Sequence, residues 1–327
     1  MKAIKRISEN NQAHLQLCEN IDIPERKAGQ LLVKVGAAAI NRTDLIAKKT
    51  GNLPQGNSIL GVEVSGIVVE SDSDSFQVGT RVMGLVNGGG YAEFAVMNAG
   101  NAMLLPDSLD FEEGAAIPEV FLTAYQTLFW LGQLKNNEKV LIHAGASGVG
   151  TAAIQLVKQL TSAKIFVTAG SVEKLALCQK LGADVLINYH EEDFDRRIEK
   201  ATAGEGVDVI LDFVGASYWK QNLNSLAYDG RMILIGILGG SMVNEVNLMQ
   251  LLEKRVTITG TLLTPRSDAY KSDLTKEFIE KTSQLFTSGH LKPIVDSTFS
   301  LDEVDAAHEY MESNKNKGKI ILTVNKI

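Results

Sequence analysis

The chain has 327 residues but only two cysteines, Cys18 and Cys178, which lie far apart in the sequence. Two thiols cannot form the disulfide framework of a small secreted domain or a four-cysteine zinc site. Free cysteines are typical of a reducing compartment. We therefore expect a cytoplasmic protein that is held together by its hydrophobic cores rather than by covalent cross-links.

Long apolar runs and an excess of positive charge are also missing. The longest strongly apolar run, residues 232–238, is far shorter than the ~20 residues that a membrane-spanning helix needs. The first ten residues lack the apolar core of a signal peptide. The 32 basic and 39 acidic side chains give a net charge of -7, which argues against coating nucleic acid or an anionic membrane. We expect neither nucleic acid nor a membrane as a partner.

The composition that remains is that of a globular protein, with 45% apolar residues. The length predicts about two domains, at roughly 150 residues each. Over the first ~120 residues, short apolar segments alternate with clusters of Gly, Ser and Asp. This pattern is typical of strands without intervening helices, and it predicts a small twisted, barrel-like β domain.

From residue 139 the pattern changes to alternating strands and helices. Apolar residues recur at 149, 153, 156, 157 and 160, which is one face of a helix, directly after an apolar strand at 140–144. Five more apolar strands follow, and this order predicts a parallel sheet covered by helices on both faces. The last segment of the chain returns to the sequence pattern of the first domain. We therefore predict a β-rich domain at 1–121, a nucleotide-binding domain at 122–264 and a return to the first domain at 265–327.

The last predicted strand of the parallel sheet, residues 256–262, is apolar and would lie at the edge of that sheet. An apolar edge strand can pair with its own copy across a two-fold axis. The sequence therefore predicts a homodimer.

A glycine-rich segment carries the sharpest functional signal. His143-Ala144-Gly145-Ala146-Ser147-Gly148-Val149-Gly150 follows one predicted strand and opens a helix. Glycines let the backbone approach a pyrophosphate closely, and the N-terminus of a helix offers unpaired N–H groups and a positive dipole end. We predict that Ser147, Gly148, Val149 and Gly150 hold a dinucleotide, whereas His143 is a buried neutral histidine.

The end of the second strand distinguishes between the two nicotinamide cofactors. NAD-specific proteins usually carry an Asp or Glu there for the ribose 2′-hydroxyl. This chain has Gly170 and Ser171 at that place, followed by Lys174. Small residues, a hydroxyl and a positive charge favour a 2′-phosphate, and therefore NADPH. We expect Tyr189, at the end of the third strand, to line the adenine.

The order of these features is similar to that of the medium-chain dehydrogenase/reductase superfamily. Within it, the chain resembles the zinc-independent quinone oxidoreductases, most closely the tumour-suppressor-inducible group. The resemblance covers nearly the whole chain. It implies a Rossmann-type doubly wound parallel sheet inserted into a β-rich GroES-like barrel domain. The segments that carry it are AINRTDL at 39–45, ILGVE at 59–63, AIPE at 116–119, LTA at 122–124, residues 141–155, GASYW at 215–219 and NKNKGK at 314–319.

The resemblance also bears on zinc. Zinc alcohol dehydrogenases of this superfamily place a cysteine where Asn41 stands and Gly-His-Glu where Gly61-Val62-Glu63 stands. With no Lewis acid to polarise a carbonyl, simple alcohol oxidation is not expected. We therefore expect no metal ion, and a quinone as a substrate electrophilic enough to need little activation.

The resemblance further implies roles for individual residues. Asn41 and Thr123 would hydrogen-bond near the nicotinamide or its ribose, with Asp44 orienting neighbouring groups, and Glu63 is assigned a structural role. Asn316 would close the cleft. Phe213 and Val214 would border the adenine side of the cofactor. The nicotinamide half would be lined by Gly236, Gly239, Leu262 and Leu263.

Two departures from the resemblance leave the substrate open. Many relatives carry a tyrosine near the substrate where this chain has Asn52 and Leu53, so no proton donor is evident. Relatives also often have an arginine at the position of Thr264, for which Arg266 is a candidate substitute. Reduction of an activated C=C bond in an alkenal or enone is therefore an alternative to quinone reduction. A third hypothesis is an NADPH-binding module with a sensing or partner role.

Overall fold

The computed structural model describes residues 1–9, 12–52 and 58–327. The chain divides into two compact units. Unit 1 consists of residues 1–122 together with 263–327, and unit 2 consists of residues 123–262. These divisions lie one and two residues from the predicted domain boundaries, and they put Leu263 into unit 1.

Residues 1–122 form most of unit 1 and are mainly strands. The segment after the last strand is helical, and its second helix runs across the division between the units. The elements are β1 (Ala3–Glu9), β2 (Gln12–Cys18), β3 (Gln30–Ile40), α1 (Arg42–Thr50), β4 (Glu63–Glu70), β5 (Arg81–Leu85), β6 (Phe94–Asn98), β7 (Ala102–Leu104), α2 (Phe111–Ala115) and α3 (Pro118–Tyr125).

Unit 2 alternates strand and helix, as the apolar periodicity predicts. A π-helical segment, Gln126–Leu131, continues from α3 before the first strand. The elements are β8 (Lys139–Ile142), α4 (Gly148–Leu160), β9 (Lys164–Ala169), α5 (Val172–Leu181), β10 (Val185–Asn188), α6 (Phe194–Ala201), β11 (Val207–Asp212), α7 (Trp219–Ser225), β12 (Leu226–Leu234), α8 (Leu248–Lys254) and β13 (Thr257–Gly260).

The tail returns to unit 1 with α9 (Asp268–Thr287), β14 (Val295–Ser300), α10 (Val304–Glu312) and β15 (Lys319–Thr323). Over the described residues, no helix is both long and apolar enough to cross a bilayer.

The main sheet of unit 1 joins both parts of the chain. Its seven strands include the path β14-β15-β3-β4-β5-β7, and β6 pairs with β3. The antiparallel pairing of β15 with β3 sets Ile320 opposite Ile40, so the end of the chain is locked against the strand that leads into α1. This register places Lys319 next to the carboxyl end of β3.

The sheet of unit 2 has six parallel strands in the order β10-β9-β8-β11-β12-β13. The order runs outward in both directions from the middle, so it reverses between β8 and β11. In open parallel sheets, ligands bind beyond the carboxyl ends of the strands at such a reversal. The glycine-rich segment follows β8 and therefore lies at this point.

A cluster of phenylalanines anchors the start of α3. Phe121 on α3 packs against Phe278 and Phe286 on α9, with ring centroids 6.3 and 5.1 Å away. All three rings are almost completely buried. Such aromatic contacts add to the free energy of burying the rings. They fix the position of α3, which carries Glu119 one turn before Thr123.

We predict that Phe278→Ala lowers the free energy of unfolding by about 3–5 kcal/mol, because it removes a buried ring and leaves a cavity. The exposed Val78, with 65% of its surface accessible, is the control, and Val78→Ala should change stability by no more than about 0.5 kcal/mol. Urea unfolding followed by circular dichroism measures both. Equal, small effects would contradict the placement of the phenylalanine cluster in the core.

Candidate active site

The glycine-rich segment forms a tight turn between β8 and α4. Ser147 is the N-cap of α4, and its hydroxyl accepts a hydrogen bond from the Gly150 backbone N–H at 3.1 Å. A Cβ on Gly150 would collide with the carbonyl oxygen of Ala144, so this position requires glycine. The first N–H groups of an α-helix have no acceptor within the helix. Gly148 and Val149 occupy the first two positions of α4.

The residues predicted to select the cofactor lie together at the end of β9. Ser171 is the N-cap of α5 and accepts a hydrogen bond from the Lys174 N–H at 3.3 Å. The Tyr189 hydroxyl lies over Gly170. Tyr189 is 42% exposed, and its ring contacts Tyr218 edge-on at 6.3 Å. The end of β9 is therefore a surface with a hydroxyl, a lysine and an aromatic ring.

The loops after β11 and β12 are hydrogen-bonded to each other. The Gly239 N–H donates to the Val214 carbonyl at 2.7 Å, and the Leu238 N–H donates to the Phe213 carbonyl at 3.2 Å. Gly236 also lies close to the Phe213 carbonyl, where a Cβ would be 2.9 Å from that oxygen. The structure thus brings together Phe213, Val214, Gly236 and Gly239.

A buried network of polar side chains is hydrogen-bonded to the loop after β11. His143 Nδ1 lies 2.9 Å from the Thr168 hydroxyl, and His143 Nε2 lies 2.7 Å from Asn222 Oδ1. Asn222 Nδ2 donates to Asp212 at 3.1 Å, and Asp212 accepts the N–H groups of Val214 and Gly215. Burial lowers the pKa of His143. Both ring nitrogens are engaged, which supports a structural role for this histidine.

Asp212 and Asn222 were not predicted as supporting residues, because Asn222 reaches His143 from 79 positions further along the chain. Two residues predicted to line the nicotinamide half, Leu262 and Leu263, belong to different units. Leu262 is 62% exposed in unit 2, whereas Leu263 is buried in unit 1. Thr123, in the middle of α3, is almost completely buried. The roles of these residues toward the cofactor stay predictions.

In unit 1, Asn41 and Asp44 lie together at the start of α1. Asp44 Oδ2 accepts the Asn41 N–H at 2.8 Å, and Asp44 Oδ1 accepts the Gly61 N–H at 3.1 Å. Burial raises the pKa of Asp44 to about 7, opposed by these two N–H donors and by Lys319. Tyr91 also hydrogen-bonds to this carboxyl. Asp44 therefore fixes the backbone around Asn41.

A buried ion pair holds the side chain of Asn41. Lys319 Nζ lies 2.7 Å from Glu63 Oε1 and donates to Asn41 Oδ1 at 2.7 Å. Asn41 Nδ2 donates to the same Glu63 oxygen at 2.7 Å. Lys319 and Glu63 are 3% and 0% exposed in their side chains. The amide of Asn41 is therefore held in one orientation, with its oxygen toward the ammonium group.

Two further ionisable groups, Glu119 and Lys271, adjoin this pair; no role was predicted for either from the sequence. The Glu119 backbone N–H donates to Glu63 Oε2 at 2.7 Å. Burial and the Glu63 carboxylate raise the pKa of Glu119 to about 8, although Lys319 and Lys271 oppose the rise. Lys271 is buried, donates to Asn87 Oδ1 at 2.8 Å and has a pKa lowered by that burial.

Two further sequence-derived candidates, Asn316 and Arg266, lie elsewhere in unit 1. Asn316 is half-buried and donates to the Gly318 carbonyl at 2.9 Å. The Arg266 guanidinium lies 4.6 Å from the centre of the Tyr270 ring. Leu53, at the position where relatives carry a tyrosine, falls outside the described residues.

Two family profiles match the chain. The profile of the alcohol dehydrogenase GroES-like domain matches residues 27–107, and that of the zinc-binding dehydrogenases matches residues 148–280. The predicted fold class, a Rossmann-type sheet combined with a GroES-like domain, is confirmed by these matches and by the solved structures below.

The curated relatives differ in how much of their length the chain covers. A zebrafish synaptic vesicle membrane protein VAT-1 homolog is 31% identical over 92% of this chain, which spans 65% of that relative. A highly-reducing polyketide synthase of Aureobasidium melanogenum is 33% identical over 89% of the chain, but the chain spans only 13% of it. Pig quinone oxidoreductase is 32% identical, with 98% of this chain and 97% of the relative covered.

The solved structures match over the full length. Escherichia coli quinone oxidoreductase, solved in complex with NADPH, has a TM-score of 0.87 and 30% identity, covering 99% of this chain and 100% of that one. CurK enoyl reductase has a TM-score of 0.81 and 28% identity, covering 98% and 99%.

The name of the second profile implies zinc, but the residues here do not fit a zinc ion. An amide stands at position 41 and an aliphatic side chain at position 62, neither of which is a usual zinc ligand. The Lys319 ammonium already lies between Asn41 Oδ1 and Glu63 Oε1 and would repel a second cation. Among the described residues, no group of three or more His, Cys, Asp or Glu side chains is arranged to hold a metal.

The family resemblance seen in the sequence is thus confirmed by relatives and structures that match from end to end. The chain belongs to the medium-chain dehydrogenase/reductase superfamily, together with the quinone oxidoreductases that it matches over nearly their whole length.

Proposed function

We propose that this chain is an NADPH-dependent oxidoreductase that reduces quinones by hydride transfer, without zinc. The observation that carries the proposal is its end-to-end likeness to quinone oxidoreductases, one of them solved with NADPH. The nicotinamide, when bound, supplies the hydride. The protein supplies position and electrostatics. The free thiols Cys18 and Cys178 support a cytoplasmic location.

The cofactor residues of the proposal follow from the geometry of unit 2. The N-terminus of α4, at Gly148 and Val149, suits a pyrophosphate because its N–H groups and dipole attract anions. Ser171 and Lys174 suit a 2′-phosphate, since the end of β9 carries no carboxylate. Gly170 and Tyr189 would border the adenosine with Phe213 and Val214. The nicotinamide residues of the proposal are Asn41, Thr123, Gly236, Gly239, Leu262, Leu263 and Asn316.

A quinone is the favoured substrate because this protein offers no zinc to polarise a less reactive carbonyl. An activated C=C bond in an alkenal or enone is the second candidate. The likeness to CurK enoyl reductase favours it, because hydride transfer to carbon can use the same placement of the nicotinamide.

Turnover of a naphthoquinone and an alkenal, measured side by side with NADPH, tests the proposal. We expect a higher kcat/KM for the naphthoquinone. Gly148→Val is the control, because a side chain there would collide with the pyrophosphate and should abolish turnover of both substrates. Preference for the alkenal would favour the second candidate, and tight NADPH binding without turnover would favour a sensing or partner module.

The phosphate assignment predicts a cofactor-specific effect of charge reversal. We expect Lys174→Glu to raise the KM for NADPH by at least about tenfold, corresponding to about 1.4 kcal/mol of lost binding, with little change for NADH. The reason is that only NADPH carries the 2′-phosphate. Steady-state kinetics with both cofactors provide the measurement.

Lys180→Glu is the matched control for this charge reversal. Lys180 is exposed on the last turn of α5, so the variant changes the same charge on the same helix without approaching the end of β9. It should leave the ratio of the two KM values unchanged. A similar ratio in both variants would refute the phosphate site.

We further propose that unit 2 pairs with a second copy of this chain through β13. This strand ends the parallel sheet and has one neighbour, β12. The segment before and after it exposes several large apolar side chains, which is unusual for a surface in contact with water. They are Ile237, Leu238, Met242, Leu248, Met249, Leu252 and Leu262, each more than half exposed.

We predict that the double variant Met242→Asp, Leu252→Asp is a monomer, because pairing would bury two unpaired carboxylates. Light scattering after size exclusion measures the mass. Val78→Asp, at an exposed apolar residue of unit 1, is the control and should stay dimeric. A wild-type mass of one chain would remove the dimer from the proposal.

A further inference from the structure

Unit 1 contains a cluster of ionisable side chains whose charges do not balance. We call Asp44, Glu63, Glu119, Lys271 and Lys319 the buried charge cluster. Three carboxyl groups face two ammonium groups. If every member were ionised, the cluster would carry a net negative charge where water is scarce, which is costly. One bound proton removes that charge.

The hydrogen bonds indicate which carboxyl group holds the proton. Glu63 accepts hydrogen bonds from Asn41 Nδ2, Lys319 Nζ and the Glu119 N–H. Asp44 accepts two backbone N–H groups. Across the described residues, by contrast, neither oxygen of the Glu119 carboxyl group accepts a hydrogen bond. Donors stabilise the ionised form of a carboxyl group, so Glu119 is the member least able to ionise.

Electrostatics agree with this assignment. Burial and the neighbouring Glu63 carboxylate raise the pKa of Glu119 to about 8. The Glu119 carboxyl group therefore carries its proton at neutral pH, as a general acid working near that pH must.

Glu119 is also the least buried member of the cluster. Asp44, Glu63, Lys271 and Lys319 are each no more than 2% exposed, whereas Glu119 is only half-buried. On α3 it precedes Thr123 by four residues, and side chains at this spacing are neighbours on one face of a helix. A proton on Glu119 is therefore one helical turn from a residue proposed to contact the nicotinamide or its ribose.

We propose that Glu119 is the proton donor of the reduction, the role for which the sequence offered no candidate. This inference rests on the proposed function. The hydride adds an electron pair and one hydrogen to the substrate, which leaves a hydroquinone anion, or an enolate if the substrate is an enone. The O–H bond of Glu119 breaks and an O–H bond, or a C–H bond of the enone product, forms on that anion. Water then returns a proton to the Glu119 carboxylate.

The cluster supports both protonation states of the donor. Before the transfer, Glu63 from β4 and Asp44 from α1 disfavour a charge on Glu119. After the transfer, Lys319 from β15 and Lys271 from α9 face the new carboxylate. Asp268 also acts on Lys271 and opposes the lowering of its pKa. Because the acid form is the active one, kcat/KM should fall as the pH rises through about 8.

Infrared spectroscopy of the protein without cofactor tests where the proton is held. We expect a protonated carboxyl band at neutral pH with two components, one from Asp44 that titrates near pH 7 and one from Glu119 that titrates near pH 8. The component near pH 8 should be absent in Glu119→Gln and unchanged in the control Glu280→Gln, an exposed residue of α9. Glutamine keeps the shape and the neutral charge of the protonated acid, so this variant should fold. If no component of the wild-type band titrates near pH 8, or if that component persists in Glu119→Gln, the inference is wrong.

Kinetics test the transfer itself. Glu119→Gln should lower kcat with the preferred substrate by about 100-fold, the lower end of the range for general acid catalysis. It should also remove the fall in kcat/KM near pH 8, while Glu119→Asp restores part of the activity. Equal turnover and an equal pH profile in wild type and Glu119→Gln would overturn the donor role alone. A wild type that reduces neither substrate would overturn the proposed function, whatever the infrared band shows.

Discussion

The ion pair between Lys319 and Glu63 is the interaction on which the architecture of unit 1 depends. It joins β15, near the end of the chain, to β4 and to the start of α1 through Asn41. A buried pair of this kind contributes little net stability against an apolar replacement, but loss of one partner costs about 3–5 kcal/mol because the other charge is stranded. The arrangement is therefore better understood as a constraint on geometry. It forces two distant parts of the sequence to hold one amide in one orientation.

In unit 2, loops are held in position by a hydrogen-bond network rather than by a buried ion pair. The strand order reverses between β8 and β11, so the loops that follow these two strands lead away from each other. Such loops need support if they are to hold a ligand. Asp212 supplies that support by accepting hydrogen bonds from the N–H groups of the loop that follows it. Asn222 and His143 extend the same hydrogen-bond network. Each buried polar atom named here finds a partner, so the network is rigid rather than costly.

The sequence predicts the features of this protein that depend on local pattern. Glycines after an apolar strand indicated the turn at Ser147, and the apolar period indicated α4 and the parallel sheet around it. The missing acid at the end of β9 favoured NADPH. Glu119 and Lys271 escaped prediction because their roles come from partners more than fifty residues away, and such contacts leave no periodic signal. Lys319 offered one clue, since it opens an apolar strand where a charge has to be paired.

The proposed proton donor, a carboxylic acid rather than a metal, limits the substrates that this site suits. Zinc polarises a carbonyl before the hydride arrives, whereas a carboxylic acid acts on the anion that the hydride creates. The second arrangement suffices only for acceptors that are electrophilic without help, which describes quinones and conjugated alkenes but not simple ketones. The Lys319 ammonium fits the same logic, because a cation fixed between Glu63 and Asn41 cannot bind a substrate oxygen yet still stabilises a carboxylate nearby. In the proposed mechanism, this region therefore donates a proton but does not activate unreactive carbonyls.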